Sequence, residues 1–113
     1  MGRYAVGLMS GTSLDGIDAA LVHVGERPGD ISLVHFLTLP YTPEQRTALL
    51  RLCQPGDSSV AEICAMNFEL GELFAAAVKQ LLAEAGFGPE QIAVIGSHGQ
   101  TIYHIPGRST LQI

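Results

Sequence analysis

No stretch of the 113-residue chain approaches the roughly 20 consecutive apolar residues of a membrane span, so no transmembrane helix is expected. The pattern turns strand-like at Arg3 without a hydrophobic h-region or a small-residue cleavage site, and no export signal is expected either. Basic residues are scarce, Lys79 being the one lysine beside five arginines. The imbalance sits in one segment. Between Asp57 and Glu90, six acids (Asp57, Glu62, Glu69, Glu72, Glu84, Glu90) face Lys79 alone, and this segment holds the whole formal charge of −5. Without a basic patch there is no electrostatic footprint for nucleic acid or an anionic membrane, and neither partner is expected. The acidic run reads as a solvated helix face. Cysteine is limited to Cys53 and Cys64, which lack metal-ligand spacing and are expected as free, buried thiols of a cytoplasmic protein. Internal repeats and low-complexity segments are absent.

What is present suffices for a core: 47% of residues are hydrophobic and 15% charged, the length of one domain or part of one. Apolar and other residues alternate over 3–9, 17–24 and 31–39, separated by glycine-rich turns, which predicts a three-stranded antiparallel meander. Thr42-Pro43-Glu44-Gln45 reads as a capping box, opening a helix that ends near Cys53 before Pro55-Gly56. Ser59 with Glu62 reads as a second box. It opens a long helix, roughly 40 Å at 1.5 Å per residue, with Val60, Ile63, Cys64, Asn67, Phe68, Leu70, Gly71, Phe74, Val78, Leu81, Leu82 and Ala85 on the core face and Gly86 as its stop. Ile92-Ala93-Val94-Ile95-Gly96 is a short continuous apolar run, expected as a strand buried on both faces and parallel to the sheet. The order is β-β-β-α-α-β, an α/β class, with one more strand over 109–113.

Gly7-Leu8-Met9-Ser10-Gly11-Thr12-Ser13-Leu14-Asp15-Gly16-Ile17-Asp18 is the most informative stretch. Its 11–16 loop combines glycines with hydroxyls, as a loop does when its N–H groups must approach an anion. Glycine-rich hairpin loops are also common connections, and on the residues alone that plainer reading weighs more. The loop is not a Walker A motif, since no Gly-Lys-Ser/Thr follows. It is not a dinucleotide fingerprint either, since a strand comes next. A second polar cluster, Gly96-Ser97-His98-Gly99-Gln100-Thr101-Ile102-Tyr103-His104, falls just beyond the carboxyl end of the predicted buried strand, where open α/β sheets bind ligands. His98 and His104 would share a face of an unbroken strand, but no third ligand lies nearby and zinc is not expected. His23 and His35 read as structural or solvent-facing.

Together these two motifs, with Thr110-Leu111-Gln112-Ile113, resemble the signatures of the anhydro-N-acetylmuramic acid kinases, bacterial sugar kinases of the actin, hexokinase and Hsp70-like ATPase superfamily. The resemblance spans the chain. It implies a ribonuclease-H-like half-domain, with residues 1–113 forming the N-terminal part of the first lobe of a two-lobed kinase. It also implies ATP and Mg²⁺, a small sugar substrate, and a homodimer of the full-length protein. The nucleotide would be held by Gly11, Thr12, Ser13, Leu14, Asp15, Gly16, Ile17 and Asp18, with Asp15 or Asp18 on the metal. His98, Gln100 and Thr101 would meet the sugar's hydroxyl, amide or lactyl groups. Many sugar kinases of the superfamily carry an aspartate just before the Gly-Thr pair, whereas Met9 and Ser10 stand here, so the metal is expected to be held differently. The catalytic base of the family lies beyond Ile113, and no residue here is assigned that role. Two other readings stand beside it. A non-catalytic nucleotide- or sugar-binding module of the same fold would lack a base. A serine hydrolase using Ser10 or Ser13 with His98 fails the Gly-x-Ser-x-Gly spacing and its strand-to-helix setting.

Overall fold

Alternating side chains order the first three strands into a meander. β1 (Arg3–Ser10), β2 (Gly16–Val24) and β3 (Ile31–Pro40) pair antiparallel in chain order, with Met9 opposite Asp18 and Ala20 opposite Phe36. The computed structural model describes residues 2–113. β4 (Ile92–Ile105) runs parallel to β1, and β5 (Ser109–Gln112) returns antiparallel along the second half of β4. The sheet order is therefore β3-β2-β1-β4-β5. This is an α/β half-domain of the ribonuclease-H-like kind, with the meander and the parallel fourth strand that the sequence predicts.

Local chemistry sets the helix ends. α1 (Pro43–Leu52) starts at Thr42, whose Oγ1 accepts from the Gln45 N–H at 3.1 Å while Gln45 Oε1 accepts from the Thr42 N–H at 2.9 Å. Both halves of that capping box form. α2 (Val60–Ala85) starts at Ser59, which accepts from the Glu62 N–H at 3.1 Å. The reciprocal half is missing here, because the Glu62 carboxylate turns to Arg51 at 3.2 Å. Gly86, at φ 75°, closes α2 in a conformation that glycine adopts without steric cost.

α2 covers one face of the sheet over β2 and β3. Val6, Leu8, Ile17, Ala19, Leu21 and Leu37 meet Ala77, Val78, Leu81 and Leu82 there. A second cluster of Leu14, Leu49, Leu52, Met66, Leu70 and Ile102 lies under the loop after β1. Tyr41, Leu73 and Phe74 touch both.

Three expectations are corrected. The predicted face of α2 merges two stripes: Met66, Leu70, Ala77, Val78, Leu81 and Leu82 are buried, whereas Val60, Cys64, Asn67, Phe68 and Gly71 face solvent. Both stripes follow the helical repeat, and only the one turned toward the sheet reaches the core. The apolar run opening β4 is not buried on both faces, since Val94 is 61% and Ile95 50% exposed. α2 lies over the meander and leaves that flank uncovered. Of the two free thiols, Cys64 is exposed; Cys53 is half-buried, and burial raises its pKa. His23 packs edge-on against Tyr4 at 5.2 Å, and His35 joins Glu84 of α2 at 2.9 Å. The Glu84 carboxyl is held below its ordinary range chiefly by that His35 bond.

Candidate functional site

The loop joining β1 to β2 is shaped by one apolar residue. The Leu14 N–H donates to the Gly11 carbonyl at 3.1 Å, and Leu14 adopts φ 54°. A left-handed conformation costs a leucine roughly 1–2 kcal/mol. Burial offsets it: Leu14 is 2% exposed among Leu49, Leu52, Met66, Leu70 and Ile102, and enclosing a leucine side chain is worth roughly 1.5–3 kcal/mol. With Leu14 turned inward, Thr12, Ser13 and Asp15 face solvent. Among the described residues nothing accepts a hydrogen bond from the N–H groups of Thr12, Ser13 or Asp15. A Cβ on Gly11 would meet only Ser13 Oγ, at 4.0 Å, so the outer side of the turn is open. Unpaired N–H groups around an open turn are what an anion needs.

Buried polar atoms back this loop. Ser10, 2% exposed, bonds through Oγ to the Tyr41 hydroxyl at 2.7 Å and donates to Gln100 Oε1 across the parallel pair. The Tyr41 N–H holds the Asp15 carbonyl at 3.1 Å. Burial raises the Tyr41 phenol above its ordinary pKa, an effect that the Ser10 bond partly offsets. Tyr41 is not singled out by the sequence, and Ser10 is weighed there only as a nucleophile and at the position before the Gly-Thr pair, not as a support behind the loop. Their partners lie 31 and 90 positions away, so no local signal exists for them.

The second motif lies inside a strand. Ser97 to Thr101 was expected beyond a strand end, yet β4 continues through it to Ile105. The irregularity is a bulge. Leu8 pairs with Ser97 and Ser10 with Gln100, so β4 has one extra residue there. Gly99 has φ 73°, and a Cβ on it would stand 2.3 Å from the Ile113 carbonyl oxygen. The bulge shifts the alternation of side chains. Gln100 consequently joins Ser10 on the buried side, at 1% exposed, while His98 stays exposed.

His98 lines a hollow of about 420 Å³ on the sheet face opposite α2, with Gly7, Met9, Asp18, Ala20 and Phe36. Residues of both motifs thus border one space. A Cβ on Gly7 or on Gly96, its partner across the sheet, would meet nothing within 4 Å. Asp18 accepts from Thr38 Oγ1 at 2.6 Å through one carboxylate oxygen. His98 is held from β5, where Gln112 Nε2 donates to its carbonyl at 2.7 Å. His104 instead bonds Thr110 at 2.7 Å. Among the described residues no three His, Cys, Asp or Glu side chains gather as a metal cage.

The residues expected to hold the nucleotide therefore divide. Gly11, Thr12, Ser13 and Asp15 form the outer loop, and Asp18 lies on the open sheet face. Leu14 and Ile17 are in the core at 2% and 0% exposure. Gly16 is buried against β3, where a Cβ would lie 2.5 Å from the Leu39 carbonyl oxygen. Of the residues expected at the sugar, His98 is exposed, Thr101 half-buried and Gln100 enclosed. The hydrolase arrangement is not assembled: the buried Ser10 hydroxyl pairs with an amide and a phenol, not an imidazole.

Residues 3–113 match the family model for anhydro-N-acetylmuramic acid kinase. A protein of that name from Caldanaerobacter subterraneus subsp. tengcongensis is 52% identical over 98% of this chain and 31% of its own length. Namesakes from Bacillus cereus and Bacillus thuringiensis subsp. konkukian are each 48% identical over 97% of this chain and 31% of theirs. The chain spans about 31% of the length of these curated relatives. No helix among the described residues is long and apolar enough to cross a membrane. With the family match running from the first strand through the 11–16 loop to the bulged strand and beyond, the chain belongs to the anhydro-N-acetylmuramic acid kinase family.

Proposed function

We propose that the full-length protein transfers the γ-phosphoryl group of ATP to O6 of 1,6-anhydro-N-acetylmuramic acid. Water opens the anhydro bridge at C1, and N-acetylmuramic acid 6-phosphate and ADP are the products. The chain would be the N-terminal part of the first of two lobes. The protein would work in the cytoplasm as a homodimer in cell-wall sugar recycling, without nucleic acid or membrane partners. One observation carries this reading: the exposed residues Thr12, Ser13 and Asp15 have N–H groups without an acceptor among the described residues, at the same end of the sheet as His98.

Phosphoryl transfer rests on positioning and charge neutralisation. The 11–15 loop would receive the triphosphate through its N–H groups and the Thr12 and Ser13 hydroxyls. Asp15 and the free oxygen of Asp18 suit Mg²⁺, a hard cation that is typically bound by one or two carboxylates together with substrate phosphates. Such an ion would offset phosphate charge. His98 would contact the sugar, with the hollow over Gly7 giving it room. Gln100 belongs behind the loop, because its side chain is already enclosed. Asp15 and Asp18 lie by the phosphates and are not assigned as the base.

Asp15→Asn in the full-length protein should raise KM for Mg-ATP by roughly tenfold, the loss of one charge-assisted contact of about 1.5 kcal/mol or more. It should raise the sugar KM far less. His98→Ala should do the reverse. Steady-state kinetics with each substrate varied in turn checks both; if the two changes act on the nucleotide alone, His98 has been misassigned.

A further inference from the structure

The polar atoms behind the loop form a one-way chain. Gln100 Oε1 can only accept, so the Ser10 hydroxyl donates to it. Ser10 Oγ is then left to accept, and the Tyr41 hydroxyl must donate, at 2.7 Å. Gln100 Nε2 donates onward to the Thr101 carbonyl at 3.1 Å. On its other side Tyr41 offers its own N–H to the Asp15 carbonyl at 3.1 Å. Ser10 precedes the turn and Asp15 ends it, so one residue grips both ends. The Tyr41 ring also packs against the cluster that encloses Leu14. Ser10 and Gln100 are too enclosed to exchange these partners for water, and a buried polar group left unpaired carries its full desolvation cost.

From this geometry we infer that Tyr41 is a positioning residue for the nucleotide, fixing the 11–15 loop at both ends and tying it through Ser10 and Gln100 to the strand that carries His98. The inference deepens the functional reading above and rests on it. A core residue serving stability alone would need no polar chain here, because apolar groups of the same shape can fill such a site at little cost. The chain instead links β1, β4 and the segment before α1, which flank the loop on separate sides.

Tyr41→Phe in the full-length protein keeps the ring and the N–H and removes only the hydroxyl. Three measurements apply: amide hydrogen exchange without nucleotide, equilibrium titration with a fluorescent ATP analogue, and steady-state kinetics. Exchange at the Leu14 and Tyr41 amides should quicken several-fold. Analogue binding should weaken by roughly fivefold, the equivalent of one hydrogen bond of about 1 kcal/mol. The KM for ATP should rise several-fold more than the KM for the sugar. Ser10→Ala should show the same pattern, and the double variant should fall short of the sum of the singles, since both break one chain. Unchanged exchange and binding in Tyr41→Phe overturn the inference, and wild-type turnover then leaves the functional reading standing. A loss of thermal stability with both KM values moving equally also overturns it. A wild-type protein that binds no nucleotide overturns the functional reading and the inference together.

Discussion

Leu14→Ala is expected to cost about 3 kcal/mol of stability, within the range of 2–5 kcal/mol for large-to-small changes in a core. Leu14 is 2% exposed and is the only apolar side chain that the 11–15 loop sends inward. Its removal leaves a space that Leu49, Leu52, Met66, Leu70 and Ile102 fill only in part. A glycine control separates the packing contribution from the backbone contribution. In ordinary backbone, glycine is worse than alanine by roughly 0.5–1 kcal/mol. At φ 54° alanine keeps the left-handed cost and glycine does not, so Leu14→Gly should be no less stable than Leu14→Ala. Urea unfolding of the three proteins measures both quantities. A Leu14→Ala loss below about 1 kcal/mol would mean that the loop is not anchored through this side chain.

Gly99→Ala should cost about 2–4 kcal/mol, from two independent sources. Its φ of 73° penalises any Cβ, and that Cβ would stand 2.3 Å from the Ile113 carbonyl oxygen. Relief requires β4 and β5 to separate where the Gln100 N–H donates to Ile113 at 2.8 Å and the Ile113 N–H donates to Gln100 at 3.0 Å. The displacement would reach His98 and Gln100 on either side. Gly96→Ala in the same strand provides the contrast, since its Cβ meets nothing within 4 Å and the backbone is ordinary there. It should be neutral within about 0.5 kcal/mol. Equal stability of the two variants, compared by thermal unfolding, would remove the bulge as a requirement of the strand.

These two positions also show where the sequence is legible and where it is not. The meander follows from alternation, and the start of α1 from Thr42 and Gln45, because those signals act within a few residues. The bulge at Gly99 looks like a loop in the sequence. A glycine inside a polar segment marks a turn or a bulge equally well, and only the partner strand decides between them. Leu14 carried a usable signal: an apolar residue amid Thr12, Ser13 and Asp15 needs a place out of water. Tyr41 carried none, since its hydrogen-bond partners come from distant parts of the chain. The two stripes of α2 could not be separated by periodicity, because both follow the helical repeat and only one finds the sheet beneath it. The apolar run of β4 reads as buried in the sequence, yet Val94 and Ile95 are exposed because α2 lies over the meander instead.

Function rests on the unpaired N–H groups of the exposed loop, and amide spectroscopy tests them without reference to turnover. The full-length protein, labelled with ¹⁵N, is titrated with a non-hydrolysable ATP analogue and Mg²⁺. On nucleotide addition the Thr12, Ser13 and Asp15 amides should shift and gain protection from exchange, and His98 should respond to the sugar. A protein saturated with nucleotide whose Thr12, Ser13 and Asp15 amides stay unmoved would contradict the proposed function.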